Sequence, residues 1–158
     1  MRVVAHLFCF FTLTLFFIDK SEAQRIAHAS IKVGEIVLDG KLNEIDWATA
    51  EGSTGLTQYS PNPGDKSSQK TEIRILYDDE AIYVGAQMFD TAPDSILMQY
   101  SQRDQIKNSD EFGIQFSPYN DGINGVAFAT TPAGILVDVN ISPTGQDFNW
   151  DAVWDVRT

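Results

Sequence analysis

The sequence predicts an all-β protein, an antiparallel β-sandwich of jelly-roll-like kind with short helical turns. Three observations carry this. Apolar residues recur at every second position in several runs, the spacing that sends alternate side chains to opposite faces of a strand. Clusters of Gly, Pro, Asn and Asp separate those runs at hairpin spacing. No 3.6-residue apolar pattern is long enough to supply the crossover helices that parallel strands require. The 158 residues suit one domain, and no internal repeat is visible.

The first segment stands apart. Arg2 precedes an almost wholly apolar run over 3–18, and Ser21-Glu22-Ala23 places small residues before Gln24. Residues 1–23 read as a secretory signal peptide, 24–35 as a lead-in, and 36–158 as the domain. The apolar run is short for a membrane span of about 20 residues. Cys9, the single cysteine, lies in that segment, so no disulfide holds the domain together. Export without cysteine points to a bacterial envelope: periplasm, outer membrane or cell surface. The formal net charge is -11, and the signal removes Arg2 and Lys20 together with Asp19 and Glu22, which leaves the balance unchanged. Such a surface repels phosphate backbones and argues against nucleic acid as a partner. It is compatible with neutral ligands and divalent cations.

Within the domain, a short strand is expected in 31–38, with Ile36-Val37-Leu38 as its apolar end and Asp39-Gly40 as its breaker. Residues 42–50 read as about two helical turns capped by Asn43, with Leu42, Ile45 and Trp47 over one end of a sheet. Another short strand is expected at 54–59. Residues 60–69 hold two prolines and a glycine and form a loop.

Residues 70–90 are the clearest element. Ile73, Ile75 and Tyr77 alternate with Glu72, Arg74 and Leu76. After the acidic turn Asp78-Asp79-Glu80, Ile82, Val84, Ala86 and Met88 alternate with Tyr83, Gly85, Gln87 and Phe89. This is a β-hairpin pattern, with Met88 in phase with the core face. Pro93-Asp94-Ser95 starts a helical turn toward Met98. Phe112, Ile114 and Phe116 share one face of a strand in 110–117, and 118–124 is a turn. Val126, Phe128 and Thr130 alternate next, followed by a turn at Thr131-Pro132-Ala133-Gly134. Ile135, Val137, Val139 and Ile141 form the last full strand, and 142–149 is a polar loop. Trp150, Ala152, Trp154 and Val156 are in phase and begin one more strand, inside which the sequence stops. A domain boundary belongs in an exposed linker, so the strands that close the sheet are expected beyond Thr158.

The chemistry-bearing residues are few in kind. His28 is the one histidine after the signal, so there is no His or Cys ligand set and no nucleophile turn beside a histidine. No Gly-rich phosphate loop is present. Carboxylates are abundant at strand ends and turns: Asp78, Asp79, Asp104, Asp110, Glu111, Asp121 and Asp151. Two such groups could form a glycosidase acid–base pair, but spacing in sequence does not place them in space, and turn carboxylates are commonly solvated. A calcium site built from turn carboxylates is the better fit to hard-cation chemistry, without an EF-type loop to name its ligands. Aromatic side chains are the other candidates, since a flat ring stacks on a sugar. Trp47 reads as core, and at least one of Trp150 and Trp154 should be buried.

Three ordered motifs resemble the family 9 carbohydrate-binding modules. They are Val37-Leu38-Asp39-Gly40-Lys41-Leu42-Asn43-Glu44 followed by Trp47, the run from Lys70 through Tyr77-Asp78-Asp79-Glu80 to Val84, and Asp110-Glu111-Phe112. The likeness runs from about Ile36 to the end. Arg103-Asp104, Pro118-Tyr119-Asn120-Asp121, the 131–134 turn and Trp150-Asp151-Ala152-Val153-Trp154 further resemble the N-terminal module of large bacterial envelope proteins, in which a β-rich, outer-membrane region follows. The resemblance implies a noncatalytic, exported module that binds polysaccharide or oligosaccharide, is associated with glycoside hydrolysis and carbohydrate catabolism, and carries calcium in some members. On this reading the sugar-binding candidates are Arg103, Asp104, Tyr119, Trp150 and Trp154. The family's clamping tryptophan falls in the stretch Gln105-Ile106-Lys107-Asn108, its binding Glu near Gly113, and its arginine among Val126, Ala127 and Phe128. That departure implies an alternative: a structural or docking domain that caps an outer-membrane β-barrel formed by the C-terminal part of the same polypeptide, without sugar binding.

Overall fold

A computed structural model describes residues 26–158. The expected signal peptide, residues 1–23, lies outside the described residues. The protein is all-β and sandwich-like, with two sheets and one short helix.

The first sheet has the order β1 (Ala29–Ile31), β2 (Thr71–Tyr77), β3 (Ile82–Met88). β2 and β3 form the expected hairpin, in register from Thr71↔Met88 to Tyr77↔Ile82. Its turn closes on Asp78, whose Oδ1 accepts the Glu80 and Ala81 amides at 2.9 and 2.8 Å. The carboxylate thus replaces ladder partners that the turn lacks. β1 lies parallel to β2.

The hairpin presents two apolar faces. Leu76, in the row with Glu72 and Arg74, is fully buried and packs with Trp47 and Ala50, flanked by Ile36, Leu42 and Tyr83. The helix α1 (Ile45–Thr49) brings Trp47 onto this face. Gly85 lies opposite Arg74, and a side chain there would meet Leu42 and Trp47. The opposite face, with Ile73, Ile75, Val84 and Ala86, is half-buried.

The second sheet is a meander of β4 (Phe112–Phe116), β5 (Gly125–Thr130), β6 (Leu136–Ser142) and β7 (Gly145–Asp147). Phe112, Ile114 and Phe116 face inward and alternate with exposed Gly113 and Gln115, as their period of two requires. β6 carries the buried residues Val137, Asp138 and Val139.

Several expectations are corrected. Residues 36–38 form no strand; β1 lies upstream, and Val37 and Leu38 are exposed. Asn43 does not cap α1: Glu44 holds that position without a side-chain bond, and α1 is a little over one turn. At 54–59 there is only an isolated bridge, Thr57↔Lys66. The turn after Pro93 ends at Ser95. Met88 is 52% exposed, because β3 is an edge strand and its last residues run past the packed layer. Residues 145–147, read as loop, pair with β6. Residues 150–156 keep the alternation, with Trp150, Ala152, Trp154 and Val156 turned inward, yet join no ladder. Period two reports which side chains face in; it does not supply the partner strand that defines a sheet.

Candidate functional site

The described residues gather their densest charge around Asp138 at the centre of β6. It is fully buried, and each of its oxygens is used. Oδ1 accepts the Arg103 guanidinium at 2.5 Å and the Trp154 indole N–H at 3.4 Å. Oδ2 accepts the Ala152 amide at 2.5 Å. A buried carboxylate is tolerated only when paired and hydrogen-bonded in this way.

Arg103 and Asp104 reach the site from an irregular segment that runs along β6. β7 pairs with β6 only over 140–142, which leaves the edge at 136–138 open. Asp104 fills it: its amide donates to the Leu136 carbonyl at 3.0 Å, and its Oδ1 accepts the Asp138 amide at 3.1 Å. The chain must turn sharply there, and Asp104 takes φ +61°, a conformation that Asp tolerates better than most residues. Arg103 then faces three carboxylates: Asp138, Asp151 at 3.2 Å and Asp104 at 3.6 Å. The hydrogen bond to Asp138, followed by the charges of Asp138, Asp151 and Asp104, raises the proton affinity of the guanidinium above its ordinary value. Arg103 also donates to the Ala152 carbonyl at 3.3 Å.

An aromatic cluster adjoins this network. Phe128 pairs with Asp138 across β5 and β6, so both project from one face. The Phe128 ring lies 5.2 Å from Trp154, 6.1 Å from Trp150 and 6.1 Å from Phe116. Trp154 therefore spans the ring of Phe128 and the carboxylate of Asp138, its apolar body on one and its N–H on the other.

Four of the five sequence-predicted residues, Arg103, Asp104, Trp150 and Trp154, are thus brought to one patch. The fifth, Tyr119, is 77% exposed in the turn between β4 and β5, and none of the patch's hydrogen bonds or ion pairs reaches it. Asp138 is the residue that sequence reasoning missed. Its signal was a lone carboxylate between Val137 and Val139 in an apolar strand, a place where a charge is either on the wet face or paired.

Asp104, Asp138 and Asp151 have oxygens within 4.8 Å of one another, the kind of donor set that a hard cation uses. Here the guanidinium of Arg103 occupies the charge-compensating position among them, and both Asp138 oxygens already accept protein donors. A calcium ion would have to displace Arg103, so the arrangement does not fit a calcium centre.

Elsewhere, the carboxylates whose proton affinity is displaced are held ionised. Asp121 is lowered to about 2, chiefly by the Asn124 amide and then by the Asn124 side chain and the Ile123 amide. Asp78 lies well below the usual range, first through Lys32 and then through the Glu80 and Ala81 amides. Glu72 is lowered mainly by Lys70. A glycosidase acid needs the opposite displacement. Among the described residues no helix is long and apolar enough to cross a membrane. Comparison of the chain with protein-family models, curated proteins and solved structures gave no match to any of them.

Proposed function

We propose that the chain is a noncatalytic carbohydrate-binding module of an exported bacterial protein. The convergence of Arg103, Asp104, Trp150 and Trp154 on one patch carries this reading. Half-buried indole rings beside fixed carboxylates and a guanidinium supply what sugar recognition uses, an apolar platform and charged hydrogen-bonding groups at its rim. The likeness to family 9 carbohydrate-binding modules supports the same ligand class. Asp151, largely exposed, is the carboxylate best placed to accept sugar hydroxyls. Isothermal titration with cello-, xylo- and manno-oligosaccharides, with co-sedimentation on insoluble xylan, cellulose and chitin, tests the reading. Saturable binding that Trp150→Ala weakens is the expected result; no binding to any of these glycans rejects it.

A second reading is favoured by a specific observation: the Trp154 N–H and both Asp138 oxygens are consumed by internal bonds. A patch that holds the protein together rather than a ligand suits a docking domain attached to an outer-membrane β-barrel. Deletion of 24–158 from a full-length protein would then impair its envelope assembly while leaving glycan binding unchanged.

A further inference from the structure

The free edge of β3 points to a second binding surface, and we propose that it accepts an extended strand of a partner polypeptide with apolar residues at alternate positions and Lys or Arg at both ends. The surface shares only Phe116 with the aromatic cluster beside the Arg103 patch and does not depend on glycan binding.

The hydrogen-bond pattern defines the edge. Ile73 exchanges both of its backbone bonds with Ser53, and the Tyr77 carbonyl accepts the Lys32 amide, so the odd-numbered residues of β2 point away from β3. The ladder between β2 and β3 therefore runs through Glu72↔Gln87, Arg74↔Gly85 and Leu76↔Tyr83. The N–H and C=O groups of Ile82, Val84, Ala86 and Met88 point outward, and no hydrogen bond among the described residues reaches them. Edges of this length are normally blunted by charge, proline, a bulge or a cover. β3, Ile-Tyr-Val-Gly-Ala-Gln-Met, has no charged residue and no proline.

Two further observations specify the occupant. Below the start of this edge lies an open recess of about 620 Å³, whose apolar lining includes Ile75, Tyr77, Ile82 and Phe116. Ile31 and Ile82, which flank Tyr77 across the sheet, are 66% and 58% exposed. An added strand would lay its apolar side chains over this row, opposite Ile82, Val84 and Ala86, and its polar ones beside Tyr83 and Gln87. The charges set the ends. Asp79 and Glu80 stand exposed before β3, and Asp90 and Asp94 after it. Lys32 is engaged by Asp78 at 2.9 Å and Lys70 by Glu72 at 3.0 Å. A second copy paired antiparallel about Gly85 would place the 78–80 turn of one chain against the acidic end of the other, which like-charge repulsion disfavours. A strand with basic ends meets acid at both. This is strand addition, in which main-chain bonds supply affinity and alternate side chains supply specificity.

The probe is a fluorescein-labelled nonapeptide, Arg-Lys-Val-Thr-Val-Thr-Val-Lys-Arg, with two controls: Glu and Asp at the ends, and proline at the central Val. Fluorescence anisotropy on the whole chain should show saturable binding of the basic peptide at about 50 mM salt, weakening toward about 500 mM as the ends are screened. Both controls should bind at least roughly tenfold more weakly. Val84→Pro removes an outward donor without touching the ladder to β2, a place where edge strands tolerate proline. It should abolish binding while circular dichroism and melting are retained. Glu80→Lys, in the exposed turn, should erode the preference for basic ends and serves if Val84→Pro does not fold. Three results would each overturn the proposal: no saturable binding of the basic peptide, equal binding of the acid-ended peptide, or a dimer in sedimentation that Val84→Pro abolishes, which would assign the edge to a second copy.

Discussion

Asp138 does for this protein what an apolar residue would do in a simpler sheet, and it does so at a cost that its partners offset. Its two oxygens tie the 150–156 segment, through the Ala152 amide and the Trp154 indole, to β6, while Arg103 ties in a segment 35 residues upstream. Asp138→Ala should destabilise the fold by about 3 kcal/mol, at the low end for breaking a buried pair. Denaturant unfolding measures this, and Trp fluorescence should shift to the red as Trp154 loses its place. Arg103→Ala should also destabilise, because it strands a buried carboxylate, and the double variant should cost less than the sum of the two. Asp121 gives a pH prediction. Its folded pKa is depressed from 3.8 to about 2, so its contribution is fully present above about 3.8 and is lost as pH falls through about 2. Carbon-detected NMR titration should place its midpoint near 2, and Asn124→Ala should raise that midpoint.

Among the elements, the hairpin and α1 form one unit because Leu76 and Trp47 share a core. Leu76→Ala removes a fully buried side chain and should cost about 2–5 kcal/mol. Gly85 is the complementary case. A Cβ at that position would lie 2.7 Å from the Leu42 side chain and 3.0 Å from Trp47. Gly85→Ala should therefore destabilise by about 1–3 kcal/mol through overpacking, although Ala is the better strand residue. Thermal melts of both variants, read by circular dichroism, check the two values. An unchanged melt for Gly85→Ala would mean that Leu42 can move aside freely.

Across the whole molecule, charge opposes compaction. The chain carries -11, and five of the eight basic residues among those described are held in ion pairs: Lys32 with Asp78, Lys41 with Asp39, Lys70 and Arg74 with Glu72, Arg103 with three aspartates. The remaining acid repels itself across the surface, and that repulsion is long-range and screened by salt. The melting temperature should rise by a few degrees between about 10 and 200 mM NaCl. A fall would mean that the short ion pairs outweigh the net charge.

Much of this was legible in the chain. Period two and the acidic turn placed the 70–90 hairpin, and the same pattern placed β4, β5 and β6, because strand side chains must alternate whatever covers them. The aromatic and charged residues of the patch were also visible as types. The sequence could not reveal which face of the hairpin meets the core: Leu76 lies in the row with Glu72 and Arg74, and only the arrival of Trp47 over Gly85 makes that face dry. It showed Asp138 as a lone carboxylate in an apolar strand but not its role, which exists only because Arg103, Ala152 and Trp154, distant in the chain, converge on it. Alternation at 150–156 was read as a strand, but a ladder needs a neighbouring backbone, and there the segment is held by a side chain instead. Local pattern determines which side chains can face inward, since that is a property of backbone geometry. Which of them are buried, and which charges become compensated, depends on long-range partners, and only the tertiary structure decides those.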